Sequence, residues 1–446
     1  MSKTSEMSEL EWLESRYLWA GQNFTADNPR RLLEVLGNPQ NKVASIHVAG
    51  TNGKGSVCAL IAGMLRSAGK SVGQFASPHL SHITERCIIN GLPIAEVDFA
   101  ASVRRVRDVA DKAGIEPSYF EIVTACSFLQ FAELGLDWMV VEVGLGGRLD
   151  ATNIMLRPAA TVITTIGYDH TQLLGETLTA IAREKAGIFR GGVPAFVGDV
   201  PDEVKCELLR LAQERDLPIE FMGDDFVFDE AGSSLRSIDG EMPLPLEELA
   251  LVGEHQRHNA MLATRVAQHI GVDELSVERG WQNTRWPGRL EMTSVGLSAE
   301  KADDAGKVSV LFDVAHNVDG MNSLVAYLRQ TPGLISDEQV IVFLVSVLER
   351  KDWRSMLELL RGFAAELPQS RVQFIFTDSG HHSAVAPETL AADFPYAIVE
   401  SCPSSALQAG LHAAADGGLV VVTGSIYLVG KLRPLVSPGR FATFAG

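Results

Sequence analysis

Lys54 stands in the stretch Gly50-Thr51-Asn52-Gly53-Lys54-Gly55-Ser56, between a strand-like run from Val43 to Val48 and a helix-like segment from Val57 to Leu65. In that setting the stretch reads as a phosphate-binding loop. Glycines let the backbone wrap close to a polyphosphate, N–H groups of the turn and helix start point at its oxygens, and the lysine adds a mobile cation. ATP is the ligand this chemistry points to. The spacing departs from the usual Walker pattern: no glycine stands at the first expected position, and Gly55 intervenes between Lys54 and Ser56.

Other reactive residue types fall at strand ends. Glu142 closes the apolar run Trp138–Val141 and precedes the glycine-rich segment from Gly144 to Asn153. A carboxylate there sits where α/β sheets place ligands and suits magnesium beside the ATP loop, unless it simply turns to solvent. The glycines permit close backbone approach to a substrate. Arg148 and Asp150 could equally form an ion pair with each other. Asp169-His170 follows the run Val162–Ile166. Imidazole binds divalent metals, but magnesium prefers oxygen, so a helix-capping or exposed histidine is an equal reading. Lys185, within Glu184–Arg190, would ordinarily face water or complement a helix dipole. Carbamylation by CO2 would instead make it an anionic oxygen ligand for magnesium. Ser77-Pro78 is an ordinary turn starter, or a hydroxyl for a magnesium shell. Asp313-Val314-Ala315-His316-Asn317 lies where a strand meets a helix, placed either to bind polar groups or to serve as turn and cap residues.

The elements that must position these groups alternate along the chain. The 446 residues, 46% hydrophobic, suffice for two or three domains. Leu10, Leu13, Tyr17 and Leu18 recur at helical spacing, and Asn28-Pro29 opens a second amphipathic run through Leu36. Strands at 43–48, 138–143 and 160–165 alternate with helices at 97–112 and 120–134, which predicts a mainly parallel sheet covered by helices. Between Phe221 and Leu251 the pattern shortens into a small antiparallel flap, and a helix resumes over Glu254–His269. A Pro/Gly joint at Trp286-Pro287-Gly288-Arg289 fits a hinge. A second series then begins, with strands at 308–314, 340–345, 372–377, 396–399 and 419–423 and helices near Leu324, Leu357, Leu390 and Leu407. Ala299–Lys307 is expected to be a surface turn. The expected architecture is a P-loop ATPase-like α/β domain (1–288) with a mainly parallel sheet, then a smaller Rossmann-like α/β domain (289–446), with chemistry in the cleft between them.

A formal charge of -18 without a Lys/Arg block opposes nucleic-acid binding. Cys58, Cys87, Cys126, Cys206 and Cys402 stand singly, as core fillers in a reducing cytoplasm. No apolar run has the length to cross a bilayer, and Met1 to Trp12 lacks a cationic-then-apolar signal, so a cytosolic protein is expected.

Together the segments resemble the Mur ligase superfamily, and specifically its folylpolyglutamate synthase/dihydrofolate synthase branch. The resemblance runs in order through HVAGTNGKGS (47–56), SPHL (77–80), ERCIING (85–91), YFEIVTACSF (119–128), VVEVGLGGRLDATN (140–153), ITTIGYDHTQLLGETLTAIAREKAGIFR (163–190), HNA (258–260), WPGRLE (286–291), DVAHN (313–317) and TGSIYLVG (423–430). It implies that Asn52, Gly53, Lys54, Gly55 and Ser56 contact ATP phosphates and that Asn259, Arg289 and Asp313 also contact ATP. Ser77, Glu142 and His170 would hold one magnesium ion, and carbamylated Lys185 would help bind a second. His316 and Ser425 would serve the glutamate side, while Phe120, Asp150 and Ala151 match positions tied to the pterin-bearing substrate. Lys54, Lys185 and His316 would be the catalytic set. The segment Val347–Asp352 lacks the expected Asp-Lys-Asp ending, and Ala76 replaces the residue usual before SPHL; neither removes a proposed ligand.

The resulting expectation is a monomeric, ATP-dependent amide ligase joining L-glutamate to a folate or dihydropteroate carboxylate through an acyl phosphate. Its rivals are a peptidoglycan-precursor Mur ligase, which would need a separate nucleotide-sugar domain before the ATP loop, and a binding module that hydrolyses ATP only as a switch.

Overall fold

The computed structural model describes residues 8–16, 27–229, 234–244, 246–296, 307–334, 339–415 and 417–436. The described residues fall into two compact units. One takes those up to Ala250 together with Gln256–Arg285; the other takes Leu251–His255 and those from Trp286 onward.

In the first unit, runs apolar on both faces require cover on both sides, which favours a parallel sheet. The strands are β1 (Ala44–Ala49), β2 (Val72–Phe75), β3 (Cys87–Ile89), β4 (Leu92–Pro93), β5 (Trp138–Glu142), β6 (Ala160–Ile163), β7 (Ala195–Val197) and β8 (Ile219–Phe221). Their spatial order is β4-β3-β2-β5-β1-β6-β7-β8. From β2 to β8 all neighbours are parallel, and β3 and β4 add an antiparallel edge. Central β1 pairs Val48 with Glu142 on one side and Ala49 with Ile163 on the other. The segments leaving β1, β5 and β6 therefore emerge side by side at the carboxyl end of the sheet, where parallel sheets place ligands.

The helix Lys54–Ser67 follows β1 and is buried from Gly55 to Leu65. Small residues let a second helix, Glu274–Asn283, approach it: a Cβ at Gly280 would lie 2.7 Å from Met64 Cα. Each fully buried Val or Leu in this layer contributes roughly 1.5–3 kcal/mol, so the helix that carries the phosphate loop is anchored by its own core face. Beyond β8, three short strands, β9 (Val227–Phe228), β10 (Ser234–Ser237) and β11 (Gly240–Pro243), form the antiparallel flap expected there.

The second unit holds β12 (Glu291–Gly296), β13 (Lys307–Phe312), β14 (Ile341–Val345), β15 (Val372–Phe376), β16 (Ile398–Val399) and β17 (Leu419–Thr423), in the order β12-β13-β17-β14-β15-β16. Only β12 is antiparallel. The last strand inserts at the centre, buried throughout.

Some elements differ from the sequence reading. Strand β12 is half-exposed at an edge and shows no apolar alternation. The helix Ile426–Val436 continues over Pro434, a residue that usually ends one. Helices Asp202–Glu214 and Glu274–Asn283 also lie outside the elements read from sequence. Tyr17, Leu18 and 299–306 lie outside the described residues, while Lys307 opens β13 rather than closing a turn. Of the five cysteines, all free, Cys58, Cys87 and Cys126 fill cores, whereas Cys206 and Cys402 are exposed. The core-filler reading is corrected for those two: Cys206 lies on the outer face of an amphipathic helix, and Cys402 precedes a helix as its cap.

Candidate active site

The loop after β1 is strained in a way only glycine tolerates. Gly53 has φ 85°, and a Cβ there would lie 2.4 Å from Asn259 Oδ1. At Gly50, φ 150°, a Cβ would lie 1.8 Å from Thr164 Oγ1. The segment after β6 clamps the loop. Thr51 N donates to Thr165 O at 2.8 Å, Asn52 N to Thr165 Oγ1 at 3.0 Å, and Gly167 N to Thr51 Oγ1 at 3.0 Å. Thr164 Oγ1 donates back to Asn52 O at 2.6 Å. The helix then starts at Lys54 after the left-handed Gly53, so the N–H groups of Lys54, Gly55 and Ser56 fall in the first turn, where an anion is favoured. Ser56 is 1% exposed, and among the described residues its buried Oγ has no hydrogen-bond partner. A buried hydroxyl without a partner is costly, so it fits a loop built around a ligand oxygen.

Two lysines converge on one carbonyl. Lys54 Nζ donates to Gly50 O at 3.0 Å and to Thr51 O at 3.1 Å, and Lys185 Nζ donates to the same Gly50 O at 2.8 Å. Lys185 is buried rather than facing water, and burial, followed by the Lys54 charge, pulls it down to about 7. Asp169 and Asp150 pull the other way. Glu142, also buried, accepts from Ser77 N at 3.0 Å through Oε2, which joins the ends of β2 and β5. His170 adopts the left-handed conformation, φ 51°, and precedes the short helix Thr171–Leu174; its Nε2 lies 3.7 Å from Asp169 Oδ1. Among the described residues no three His, Cys, Asp or Glu side chains gather to hold a metal ion. The set expected from sequence draws on a serine hydroxyl and a lysine, outside those residue types.

The glycine-rich segment after β5 folds around Asp150. Its Oδ1 accepts from Thr152 N at 3.0 Å and Thr152 Oγ1 at 2.5 Å, and its Oδ2 accepts from Leu145 N at 2.9 Å. Burial raises the Asp150 carboxyl, while these donors hold it down. An Arg148–Asp150 pair does not form: Arg148 binds Glu184 at 2.9 Å, because Asp150 is turned inward onto its own loop. Phe120, half-buried at the start of the helix Tyr119–Glu133, packs where a Gly144 Cβ would go, 2.4 Å from its ring, and its ring meets Phe75 edge-on at 5.8 Å. Ala151, directly after Asp150, is buried.

In the second unit, Asp313 follows β13, and its carboxylate accepts from Leu290 N and Ala315 N, both at 2.9 Å. Burial raises its carboxyl; the Leu290 bond, Arg289 and the Ala315 bond oppose that. The bond from Leu290 holds a left-handed residue, φ 46°, directly after Arg289. His316 Nδ1 lies 2.9 Å from Val314 O and so carries a proton toward that carbonyl. Asn317 caps the helix Val318–Gln330. Ser425, 1% exposed, accepts from Tyr427 N at 3.2 Å through its Oγ at the start of the last helix.

The structure thus brings together Gly50, Lys54 and Lys185, Gly53 and Asn259, and Ser77 and Glu142. Thr164 and Thr165, which clamp the loop, were not among the residues singled out from sequence; the available signal was a threonine pair at the end of an apolar strand.

A glycine loop opening a buried helix, with a carboxylate at a neighbouring strand end and two lysines on one loop carbonyl, belongs to an ATP-dependent ligase of the Mur type. Residues 48–267 match the Mur ligase middle domain and residues 297–426 the Mur ligase glutamate ligase domain. More narrowly, the chain belongs to the dihydrofolate synthase/folylpolyglutamate synthase family. It is 31% identical over 420 residues to the dihydrofolate synthase/folylpolyglutamate synthase of Bacillus subtilis, covering 91% of this chain and 93% of that one. It is also 31% identical to the folylpolyglutamate synthase of Lacticaseibacillus casei, over 93% of this chain and 96% of the relative. The E. coli FolC structure in complex with DHPP and ADP superposes with a TM-score of 0.84 at 26% identity, covering 98% of this chain and 100% of that one. A bifunctional folylpolyglutamate synthase/dihydrofolate synthase with Mn, AMPPNP and L-glutamate bound gives 0.83 at 27% identity, over 98% and 100%. Among the described residues no helix is long and apolar enough to cross a membrane.

Proposed function

We propose that this ligase joins L-glutamate to the carboxylate of a folate-type acceptor, either dihydropteroate, a reduced folate or both. The observation that carries the reading is the loop at Gly50–Ser56, where two lysines meet one carbonyl and the buried Ser56 hydroxyl has no partner among the described residues. The names and ligands of the relatives support the acceptor and amino-acid assignments.

In this mechanism the amides and side chains of Asn52 to Ser56 cradle the phosphates, and Lys54 leaves the Gly50 and Thr51 carbonyls to follow the transferring phosphoryl group. Asn259, Arg289 and Asp313 bind the nucleotide. The acceptor carboxylate attacks the terminal phosphorus and ADP departs, giving an acyl phosphate in which phosphate replaces a poor oxide leaving group. The glutamate amine then attacks the acyl carbon and phosphate is expelled; His316, its ring held by Nδ1 on the Val314 carbonyl, and Ser425 orient the glutamate. Phe120, Asp150 and Ala151 place the pterin-bearing part. Ser77, Glu142 and His170 would hold one divalent cation and carbamylated Lys185 a second, supplying charge neutralisation at the phosphates. Lys185 suits that modification because an amine at about 7 is substantially neutral at working pH, and only the neutral amine adds to CO2. Residues 1–288 would carry the ATP chemistry and 289–446 the glutamate side. A monomer in the cytosol completes the reading, and the five free cysteines suit a reducing compartment.

The test is mass spectrometry of purified protein with ATP, glutamate and each acceptor in turn. Dihydropteroate should gain one glutamyl residue, or tetrahydrofolate should be extended, with ADP formed in step. ATP turnover without acceptor and without ligated product would overturn the reading in favour of an ATP-driven switch.

A further inference from the structure

A hydroxyl buried between a histidine and a carboxylate links the phosphate-loop strand to the acceptor segment. His47 lies on β1, three positions before Gly50, and is 1% exposed; its Nε2 is 2.9 Å from Oγ1 of Thr152, which is 0% exposed. Thr152 Oγ1 donates its single proton to Asp150 Oδ1 at 2.5 Å, so toward His47 it accepts, and His47 carries its proton on Nε2. Asp150 in turn receives Leu145 N and Thr152 N, at 2.9 and 3.0 Å, and thereby closes the segment into a ring. The other side of that ring packs backbone to backbone: Arg148 N donates to Glu184 O at 2.8 Å, and a Cβ at Gly147 would lie 2.7 Å from Lys185 O.

The order of groups rules out a nucleophile. In a hydrolytic triad the histidine stands between hydroxyl and carboxylate, whereas here the hydroxyl stands between, fully buried with its proton committed. Burial drops His47 to about 3, so the chain carries no charge change at working pH. A buried polar chain of this kind is stable only when every member is satisfied, and it then holds one arrangement.

We propose that His47 and Thr152 are positioning residues for the acceptor, locking the Asp150 ring to the strand that bears the phosphate loop so that acceptor carboxylate and terminal phosphate are held in register. The inference rests on the acceptor reading of Phe120, Asp150 and Ala151 given above. It separates acceptor binding from nucleotide binding, because the bonds that clamp the phosphate loop come from Thr164, Thr165 and Gly167 instead.

Thr152→Val keeps the shape and removes both side-chain bonds, one of them to a carboxylate. The acceptor KM should rise about tenfold to a hundredfold, the range for losing a hydrogen bond to a charged group. The KM for ATP should stay close to wild type. Thr152→Ser, which retains the hydroxyl, should recover most of the acceptor affinity, and His47→Gln should fall between. An unchanged acceptor KM in Thr152→Val, or parallel loss of ATP and acceptor affinity with no rescue by serine, would overturn the proposal. Wild-type ligation with folate and dihydropteroate is the control for the functional reading itself. Should that control fail, hydrogen exchange still decides the link: amides of 145–152 should exchange faster in Thr152→Val than in Thr152→Ser while 50–57 keep their protection, and identical exchange in the two variants would refute it. If Thr152→Val does not fold, His47→Gln and Thr152→Ser carry the same comparison.

Discussion

Replacing Lys185 with methionine isolates the cost of burying one ammonium beside another. Lys185 is 4% exposed and is drawn from an ordinary 10.5 to about 7, by burial first and the Lys54 charge second. That gap amounts to roughly 5 kcal/mol at most, taking about 1.4 kcal/mol for each tenfold change in the protonation equilibrium. Between pH 7 and 10.5 the unfolded chain keeps a proton on Lys185 that the folded chain has released. Stability from this group therefore rises with pH across that window and is lowest below pH 7. Methionine binds no proton, so Lys185→Met should gain on wild type by several kcal/mol as the pH is lowered from about 10 to about 6. Urea unfolding of both proteins in CO2-free buffer measures the difference. Added bicarbonate near neutral pH should stabilise wild type alone, since carbamylation draws on the neutral amine of the folded state. Ligation should fall on the order of a hundredfold or more in Lys185→Met and Lys185→Ala, as for loss of a group that stabilises transition-state charge, with small carboxylates partly restoring Lys185→Ala. A stability difference that does not vary with pH would refute the burial argument. Normal kinetics in Lys185→Ala, with no carbamate detected by carbon-13 NMR, would return Lys185 to a structural role.

Gly53→Ala must hold a side chain at φ 85° and push against Asn259 Oδ1, 2.4 Å away, so calorimetry should show ADP binding weakened by about tenfold or more, from roughly 1–2 kcal/mol of backbone strain plus the clash. Unaltered ADP affinity would refute the fit. Ser56→Ala removes a buried hydroxyl that has no partner among the described residues, so the urea midpoint of the free protein should stay level or rise while ATP affinity falls; a stability loss would mean the hydroxyl is satisfied within the fold. Glu142→Gln keeps an acceptor for Ser77 N but loses the charge, so the magnesium concentration for half-maximal turnover should rise steeply with little change in melting temperature, and an unshifted titration would remove Glu142 from the metal set.

Much of the site was legible because its residues sit in short, locally determined contexts. A glycine loop between strand and helix, Glu142 at a strand end, and Asp313 at another each occupy positions that a parallel sheet turns toward ligands. Some elements in between were legible from apolar periodicity, as in Glu254–His269 and Leu419–Thr423, which match the expected bounds, although the amphipathic helix Asp202–Glu214 was not read. Edge strand β12 was not, since a strand that buries neither face leaves no alternation to read. The states of Arg148 and Lys185 were illegible for another reason. Lys185, at a helix end, would normally meet water but is buried on the Gly50 carbonyl 135 positions away, whereas Arg148 stays exposed and takes Glu184, 36 positions away, as its partner.

By itself, then, the sequence determined the alternation of strands and helices, the glycines of the loop, and the ordered set of motifs that marks the family, because each depends on neighbours a few residues apart. Tertiary structure alone decided that β1 lies between β5 and β6, that Lys54 and Lys185 share the Gly50 carbonyl, and that Asp150 turns inward through Thr152 to His47. These are long-range pairings, set by which strands hydrogen-bond and by how burial strips water from a side chain, and no local pattern encodes either.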